Sequence, residues 1–242
     1  CRLSVQDIGG YKMDVNQILY EDQDCIVCRK PAGIPTQSAK MAEQDMVSLL
    51  KNYRVSKKEP SYLGVCHRLD QPVEGIMVFA KNKEAAAFLS GQVANRNVGK
   101  YYYALIWGQI DPPLGELVDY MKKDDKMHGS VICIASDPEG KIAHLSYQTI
   151  ATRMIQPEVE ASLVKIKLET GRLHQIRLQF ANRKNPLIGD RKYGVGLSDR
   201  IGRTVALCSY QLEFIHPKTQ EWMKFCIRPQ NPIFELFLQD MQ

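Results

Sequence analysis

The chain has 242 residues, 44% hydrophobic and 24% charged, with 32 Lys+Arg against 27 Asp+Glu for a formal charge of +5. That length can bury a substantial core, and the proportions are those of an ordinary globular protein. No apolar run reaches the length of a membrane span, and nothing near residue 1 pairs a basic start with an apolar stretch, so neither a membrane protein nor a secreted one is expected.

In chain order, Ile18–Tyr20 and Cys25–Cys28 read as two strands joined across Glu21-Asp22-Gln23-Asp24. The second runs into Lys30-Pro31-Ala32-Gly33, where Pro and Gly force a turn. Met46, Leu49, Leu50 and Tyr53 have helical spacing, which predicts a helix over about 43–53. His67-Arg68-Leu69-Asp70 forms a turn before the buried strand Ile76–Ala80. Asn82 can cap an Ala-rich helix from Lys83 to about Asn95, with Phe88, Leu89 and Val93 inward. Lys100–Trp107 is aromatic and β-branched, hence a strand, with Lys100, Tyr102 and Ala104 on one face and Tyr101, Tyr103 and Leu105 on the other. Further strands are expected at 131–135, 143–150, 161–168, 204–214 and 222–228. A short helix over about 173–182 follows Thr170-Gly171-Arg172, and Pro232–Leu238 forms a last helical turn. Many strands, few helices and no repeat or linker predict an α+β fold with a large mixed or mainly antiparallel sheet flanked by helices.

The seven cysteines invite a metal or disulfide reading. Cys25 and Cys28 form a CxxC on a strand, however, and positions i and i+3 of a strand face opposite ways. There is no second CxxC, so no metal site and a reducing, cytoplasmic setting are expected. Basic residues gather between Arg177 and Arg203 (Arg177, Arg183, Lys184, Arg191, Lys192, Arg200, Arg203). Such a cluster is either a solvated face or a cradle for RNA phosphates.

Several blocks stand in a telling order: Lys30-Pro31-Ala32-Gly33; His67-Arg68-Leu69-Asp70 with Gly75 and Ala80-Lys81; Lys100-Tyr101-Tyr102-Tyr103-Ala104 with Gly108; Thr170-Gly171-Arg172-Leu173-His174-Gln175-Ile176-Arg177; Ile188-Gly189-Asp190 with Tyr193-Gly194; and Phe214-Ile215-His216-Pro217. In these blocks, from about Ile18 to Phe234, the chain resembles the RluA-type family of RNA pseudouridine synthases. The resemblance implies the pseudouridine synthase fold over 18–242. Residues 1–17 form an N-terminal segment too short for the S4-type RNA-binding domain of many relatives. The chain starts on Cys1, which leaves open a longer natural N-terminus.

The same resemblance implies an enzyme that isomerises uridines of rRNA or tRNA. The reaction breaks the N1–C1′ bond, turns the uracil over and rejoins it through C5. It has no redox step, so no nucleotide cofactor is expected. It needs a carboxylate at C1′ or C2′, by analogy with glycosidases, and a base flipped out of the RNA stack. Asp70 takes the catalytic position. Arg177 matches the buried arginine that pairs with it through a charge-assisted contact. Tyr102 matches the active-site tyrosine, whose ring stacks on the uracil and whose hydroxyl can assist loss of the C5 proton. Arg68 matches the arginine that fills the gap left by the flipped base. His67 contacts RNA or braces the turn, and Leu178 lines the uracil pocket. Lys30, Arg172 and Lys192 are candidate phosphate contacts, with a solvated surface the equal alternative for each.

The chain departs from the family pattern after Asp70, where Val73-Glu74-Gly75 replaces the common Thr-Ser-Gly and removes two hydroxyls. Glu74 raises the thought of a two-carboxylate hydrolase, which no second motif supports. The competing function is an RNA-binding or RNA-chaperone protein of the same fold with little catalysis. A nucleotide-binding reading of Gly194-Val195-Gly196 lacks the third glycine, and no G-x-S-x-G is present for a serine hydrolase. The partner expected is RNA, bound by a monomer.

Overall fold

The computed structural model describes residues 14–40, 43–194 and 204–241. Most of the N-terminal segment, Val195-Gly196, Arg200 and Arg203 lie outside the described residues.

Ile18–Glu21 (β1) and Cys25–Lys30 (β2) form the expected hairpin. Its turn closes because Asp22 Oδ1 accepts from the backbone N–H of both Asp24 and Cys25 at 2.8 Å. The helix Met46–Ser56 (α1) starts three residues later than its apolar spacing suggests. Asp45 and Ser48 cap it reciprocally, Ser48 N donating to Asp45 Oδ1 at 2.6 Å and Asp45 N to Ser48 Oγ at 3.1 Å. Gly64–Val65 (β3) is a short strand before Glu74–Ala80 (β4), every residue of which is buried. Asn82 caps Lys83–Ala94 (α2) as expected, accepting from Ala85 N at 2.8 Å. Then come Gly99–Trp107 (β5), Leu114–Asp124 (β6), Gly129–Cys133 (β7), Lys141–Gln156 (β8), Val159–Leu168 (β9), Gln175–Asn182 (α3), Leu207–Ile215 (β10) and Trp222–Cys226 (β11). A 3₁₀ helix, Pro232–Asp240, follows.

Among the described residues the strands join in one 11-stranded sheet of order β1-β2-β4-β10-β5-β9-β8-β6-β7, with β3 on β4 and β11 on β10. Only β4 and β10 pair in parallel; the other pairs are antiparallel. This is the expected α+β fold. Strand β6 has no counterpart in the sequence reading. Only Leu117 and Met121 of its side chains are buried, a spacing of four that hides the alternation of a strand.

Helices cover both faces. On the front, Met46, Leu49 and Leu50 of α1 and Ile176 and Phe180 of α3 pack with Ile26, Cys28, Met77, Phe79, Tyr102 and Ala104. On the back, Ala85 and Leu89 of α2 pack on Cys25, Val27, Ile76 and Val78, while Phe234 and Phe237 cover Tyr103, Leu105 and Trp107. Cys25 and Cys28 therefore face opposite layers, and the two faces of β5 divide as the alternation predicts. No described helix is long and apolar enough to cross a membrane.

The parallel contact of β4 with β10 depends on a missing side chain. Gly75 has φ +146°, and a Cβ there would stand 2.4 Å from Ser209 Cβ and 2.6 Å from Ser209 N. Ser209 in turn lies opposite Tyr102 in the sheet. Gly75→Ala is expected to lower the unfolding free energy by about 2–4 kcal/mol in urea titration, because strained backbone and an overpacked strand contact add.

Candidate active site

The turn that carries Asp70 is held by the Lys30–Thr36 segment. Thr36 Oγ1 donates to Leu69 O at 2.9 Å and accepts from Leu69 N at 3.1 Å, so it grips both backbone groups of the residue before Asp70. On the other side Gln71 O accepts from Gly33 N at 2.8 Å and from Lys30 Nζ at 3.1 Å. Gly33 can turn back to make this bond because it adopts φ +91°. Lys30 is fully buried and also donates to Pro31 O at 2.9 Å and Ile34 O at 2.6 Å. Burial pushes its ammonium down to about 7, against the charges of Asp70 and Glu74. Three carbonyl acceptors nevertheless use all three N–H bonds that only the charged form offers. The expectation that Lys30 touches phosphate is corrected: its head group lies inside the protein and ties the loop that carries Asp70 to it.

His67 accepts at Nε2 from Val78 N, 3.1 Å away, which ties the start of the turn to β4. Burial drives its pKa down to about 4, so the ring is a neutral acceptor. Arg68 is exposed and donates to Gln37 Oε1 at 2.9 Å.

Arg177, on α3, is buried between two carboxylates. Its Nε and Nη2 hold Asp190 at 2.7 and 3.0 Å in a fork, and its Nη1 donates to Asp70 Oδ2 at 3.1 Å. Asp190 is completely buried and also accepts from Lys192 N and Tyr193 N at 3.0 and 3.2 Å. Burial alone would raise the Asp190 pKa, but the bonds from Arg177 outweigh it and hold the carboxyl below its usual range. Burial would likewise lower Arg177, and the two carboxylates reverse that. The Tyr193 ring lies 5.3 Å from the Arg177 guanidinium and its hydroxyl 2.9 Å from His174 Nδ1. Asp190, His174 and Tyr193 stand in the motif blocks, yet the sequence reading assigned them no role. The signal available was their place beside Gly189, Arg177 and Gly194.

These groups meet in an open cleft. Asp70, Arg177, His174, Arg68 and Arg172 supply its polar lining, and Tyr102 with Leu69, Val73, Leu168, Ile176 and Leu207 its apolar wall. Burial raises the Tyr102 hydroxyl well above its ordinary pKa, the Asp70 charge adding to this against a hydrogen bond with Ser209. Tyr102 is therefore a neutral phenol. Leu178 is a correction: it is not part of the cleft lining, whose apolar wall comes instead from Ile176, the loop residues Leu69 and Val73, and the strand residues Tyr102, Leu168 and Leu207.

Arg172 reaches the cleft while its Nε donates to Ile142 O at 2.9 Å. Lys192 Nζ donates to the carbonyls of Met127 and His128, which caps the turn between β6 and β7. Within the basic cluster, Arg177 is buried, Arg183 is paired with Asp119, and Lys184 and Arg191 are exposed. Glu74 lies outside the cleft lining and accepts from Gln230 N and Asn231 N at 3.0 Å, which anchors the C-terminal 3₁₀ helix and leaves no basis for a two-carboxylate hydrolase site.

Asp22, Cys25 and His216 bring possible metal ligands within 4.8 Å of one another. Their bonding disfavours a metal. His216 Nδ1 accepts from Thr219 N at 3.0 Å and Lys218 N at 3.3 Å, so the neutral ring keeps its proton on Nε2, 2.8 Å from Asp22 Oδ2. Burial and Asp22 keep Cys25 a thiol.

The profile of the RNA pseudouridylate synthase family matches residues 24–182. An uncharacterized RNA pseudouridine synthase of Aquifex aeolicus (strain VF5) is 33% identical, over 90% of this chain and 71% of that protein. The dual-specificity RNA pseudouridine synthase RluA of Vibrio vulnificus (strain CMCP6) is 28% identical, over 88% of this chain and 82% of that protein. Among solved structures, human RNA pseudouridylate synthase domain containing 4 superposes with a TM-score of 0.73 at 21% identity, over 92% of each chain, a likeness of fold.

Asp190→Asn replaces one acceptor oxygen by a donor facing the Arg177 guanidinium. The expected loss is about 3–5 kcal/mol of stability in chemical denaturation, as when one partner of a buried pair is removed.

Proposed function

The chain belongs to the RluA-type RNA pseudouridine synthase family, and from that premise we propose that Asp70 is the carboxylate that acts at C1′ or C2′ of a flipped-out uridine in rRNA or tRNA. The observation that carries the reading is the Arg177–Asp70 contact of 3.1 Å in a cleft that Tyr102 also lines. A fixed carboxylate beside a flat aromatic wall suits an anomeric carbon below a stacked uracil.

The steps follow from what each group can do. Arg177, itself anchored by Asp190, orients Asp70 without taking part in proton transfer, since a guanidinium does not deprotonate. Asp70 either bonds C1′ as N1–C1′ breaks or takes the C2′ proton as the uracil leaves; the freed uracil anion turns against the Tyr102 ring within the apolar wall and bonds C1′ through C5, which breaks the Asp70 ester or returns the proton to C2′. The C5 proton is then lost to solvent and N1 takes one up, so the product is an isomer of uridine. The Tyr102 phenol stays protonated, which favours stacking over a role as base. Arg68, exposed at the mouth, stacks in the gap left in the RNA, and Arg172 meets a flanking phosphate. The protein acts as a monomer, with 18–242 as its catalytic unit. The chemistry calls for no metal or nucleotide cofactor.

Tritium release from unmodified tRNA and rRNA labelled with 5-³H-uridine tests this. Asp70→Asn is expected to abolish release while RNA affinity stays within about threefold; equal release by the variant rejects the assignment, and RNA binding without release by the wild type favours a binding protein. Tyr102→Phe keeps the ring and loses the hydroxyl, so turnover within about tenfold of wild type is expected if stacking is its task. A loss of a thousandfold would give the hydroxyl the chemical role.

A further inference from the structure

Among the described residues, the two side chains paired with the Asp70 carboxylate approach the same oxygen. Arg177 Nη1 stands 3.1 Å from Oδ2 and His174 Nε2 stands 3.7 Å from it. Neither holds Oδ1.

The state of the His174 ring follows from its other side. Ser130 N donates to the Tyr193 hydroxyl at 3.0 Å, so that oxygen already serves as an acceptor. Its single proton has two places to go: His174 Nδ1 at 2.9 Å or Ser130 O at 3.4 Å. The shorter contact is within ordinary hydrogen-bond range and the longer is at its limit. Burial raises the Tyr193 pKa, so the proton stays on the phenol, and burial lowers that of His174, so the ring is neutral. Nδ1 is then the acceptor and Nε2 carries the proton, on the side of Asp70. The backbone adds to this: His174 adopts φ +55°, a conformation uncommon outside glycine, and makes no capping bond with its side chain. Strain of this kind persists where the surroundings over-determine it.

We infer that His174 is a positioning residue for Asp70: its Nε2–H and Arg177 together anchor Oδ2 and leave Oδ1 as the oxygen presented to the ribose. Tyr193, held by Ser130 at the start of β7, sets the ring's tautomer. The role rests on the reading of Asp70 as the acting carboxylate. The 3.7 Å gap is looser than a hydrogen bond, as catalytic contacts commonly are before substrate closes on them. Through Tyr193 and Ser130 the β6–β7 hairpin gains a path of direct contacts to the carboxylate. Gly129, next to Ser130, makes room for this: a Cβ there would lie 2.6 Å from the Tyr193 hydroxyl.

Two variants separate positioning from structure. His174→Asn tolerates the positive φ and keeps a short amide for Tyr193, but cannot reach Asp70. His174→Gln extends an amide N–H toward the place of Nε2. In tritium release, His174→Asn is expected to lower kcat about ten- to hundredfold, the worth of one hydrogen bond to a charged group. KM should stay within about twofold and Tm within about 3 °C. His174→Gln should recover part of the loss. Nitrogen-15 NMR of the wild-type histidine rings should show His174 protonated on Nε2, with the tautomers mixed in Tyr193→Phe. Wild-type kcat in His174→Asn, a fall in KM and Tm instead of kcat, or a proton on Nδ1 would overturn the inference. If the wild-type protein releases no tritium, the reading of Asp70 is what fails, and the ring tautomer still decides the geometry by itself.

Discussion

The site depends on one guanidinium placed between two carboxylates. Arg177 is buried, and an unpaired charge there would cost several kcal/mol. The fork to Asp190 satisfies that need almost by itself, with two bonds of 2.7 and 3.0 Å to an acid that water does not reach. Of the three N–H bonds left over, one on Nη1 points at Asp70. The division matters for chemistry. Asp190 answers the cost of burying Arg177, so Asp70 receives a single oriented contact and keeps an oxygen for a ligand.

The loop that carries Asp70 is positioned by hydrogen bonds to its backbone from a segment more than thirty residues away in sequence, as in the Thr36 hydroxyl to Leu69 O bond. Lys30 completes the clamp from within. A lysine in a Lys-Pro-Ala-Gly turn of an RNA-modifying enzyme invites a phosphate, yet its three N–H bonds end on three carbonyls of the protein. Those acceptors are backbone groups, whose positions appear only once the loop has folded around the side chain. Desolvation then makes the ammonium a structural pin, since leaving any of its donors unmet inside would be costly.

The sheet explains how one strand serves site and core. Tyr102 faces the cleft while Tyr103, its neighbour, stacks on Tyr210 with ring centroids 3.9 Å apart on the other side. The parallel crossing of β10 beside β4 brings Ser209 against both Gly75 and Tyr102. A glycine placed after the Asp70 turn thus has a packing reason independent of the turn itself.

Much was legible from residue order alone, because alternation and capping are local. The period of two separated the faces of β5 and the two thiols of β2, Asn82 announced its helix, and the motif blocks carried Asp70, Tyr102 and Arg177 into one family. Strand β6 escaped because exposed apolar residues such as Leu114 and Val118 and its scattered charges hide the alternation when only one face is half covered. Lys30 and Leu178 went astray for a related reason: a residue type and a neighbouring position say what a side chain can do, not which way it points. The amino-acid sequence by itself determined the elements and the chemical types available at the cleft. Tertiary structure alone decided that Arg177 has Asp190 as its stronger partner and that His174 faces Asp70, because those pairings join residues from separate parts of the chain whose distances exist only after the sheet and α3 have packed.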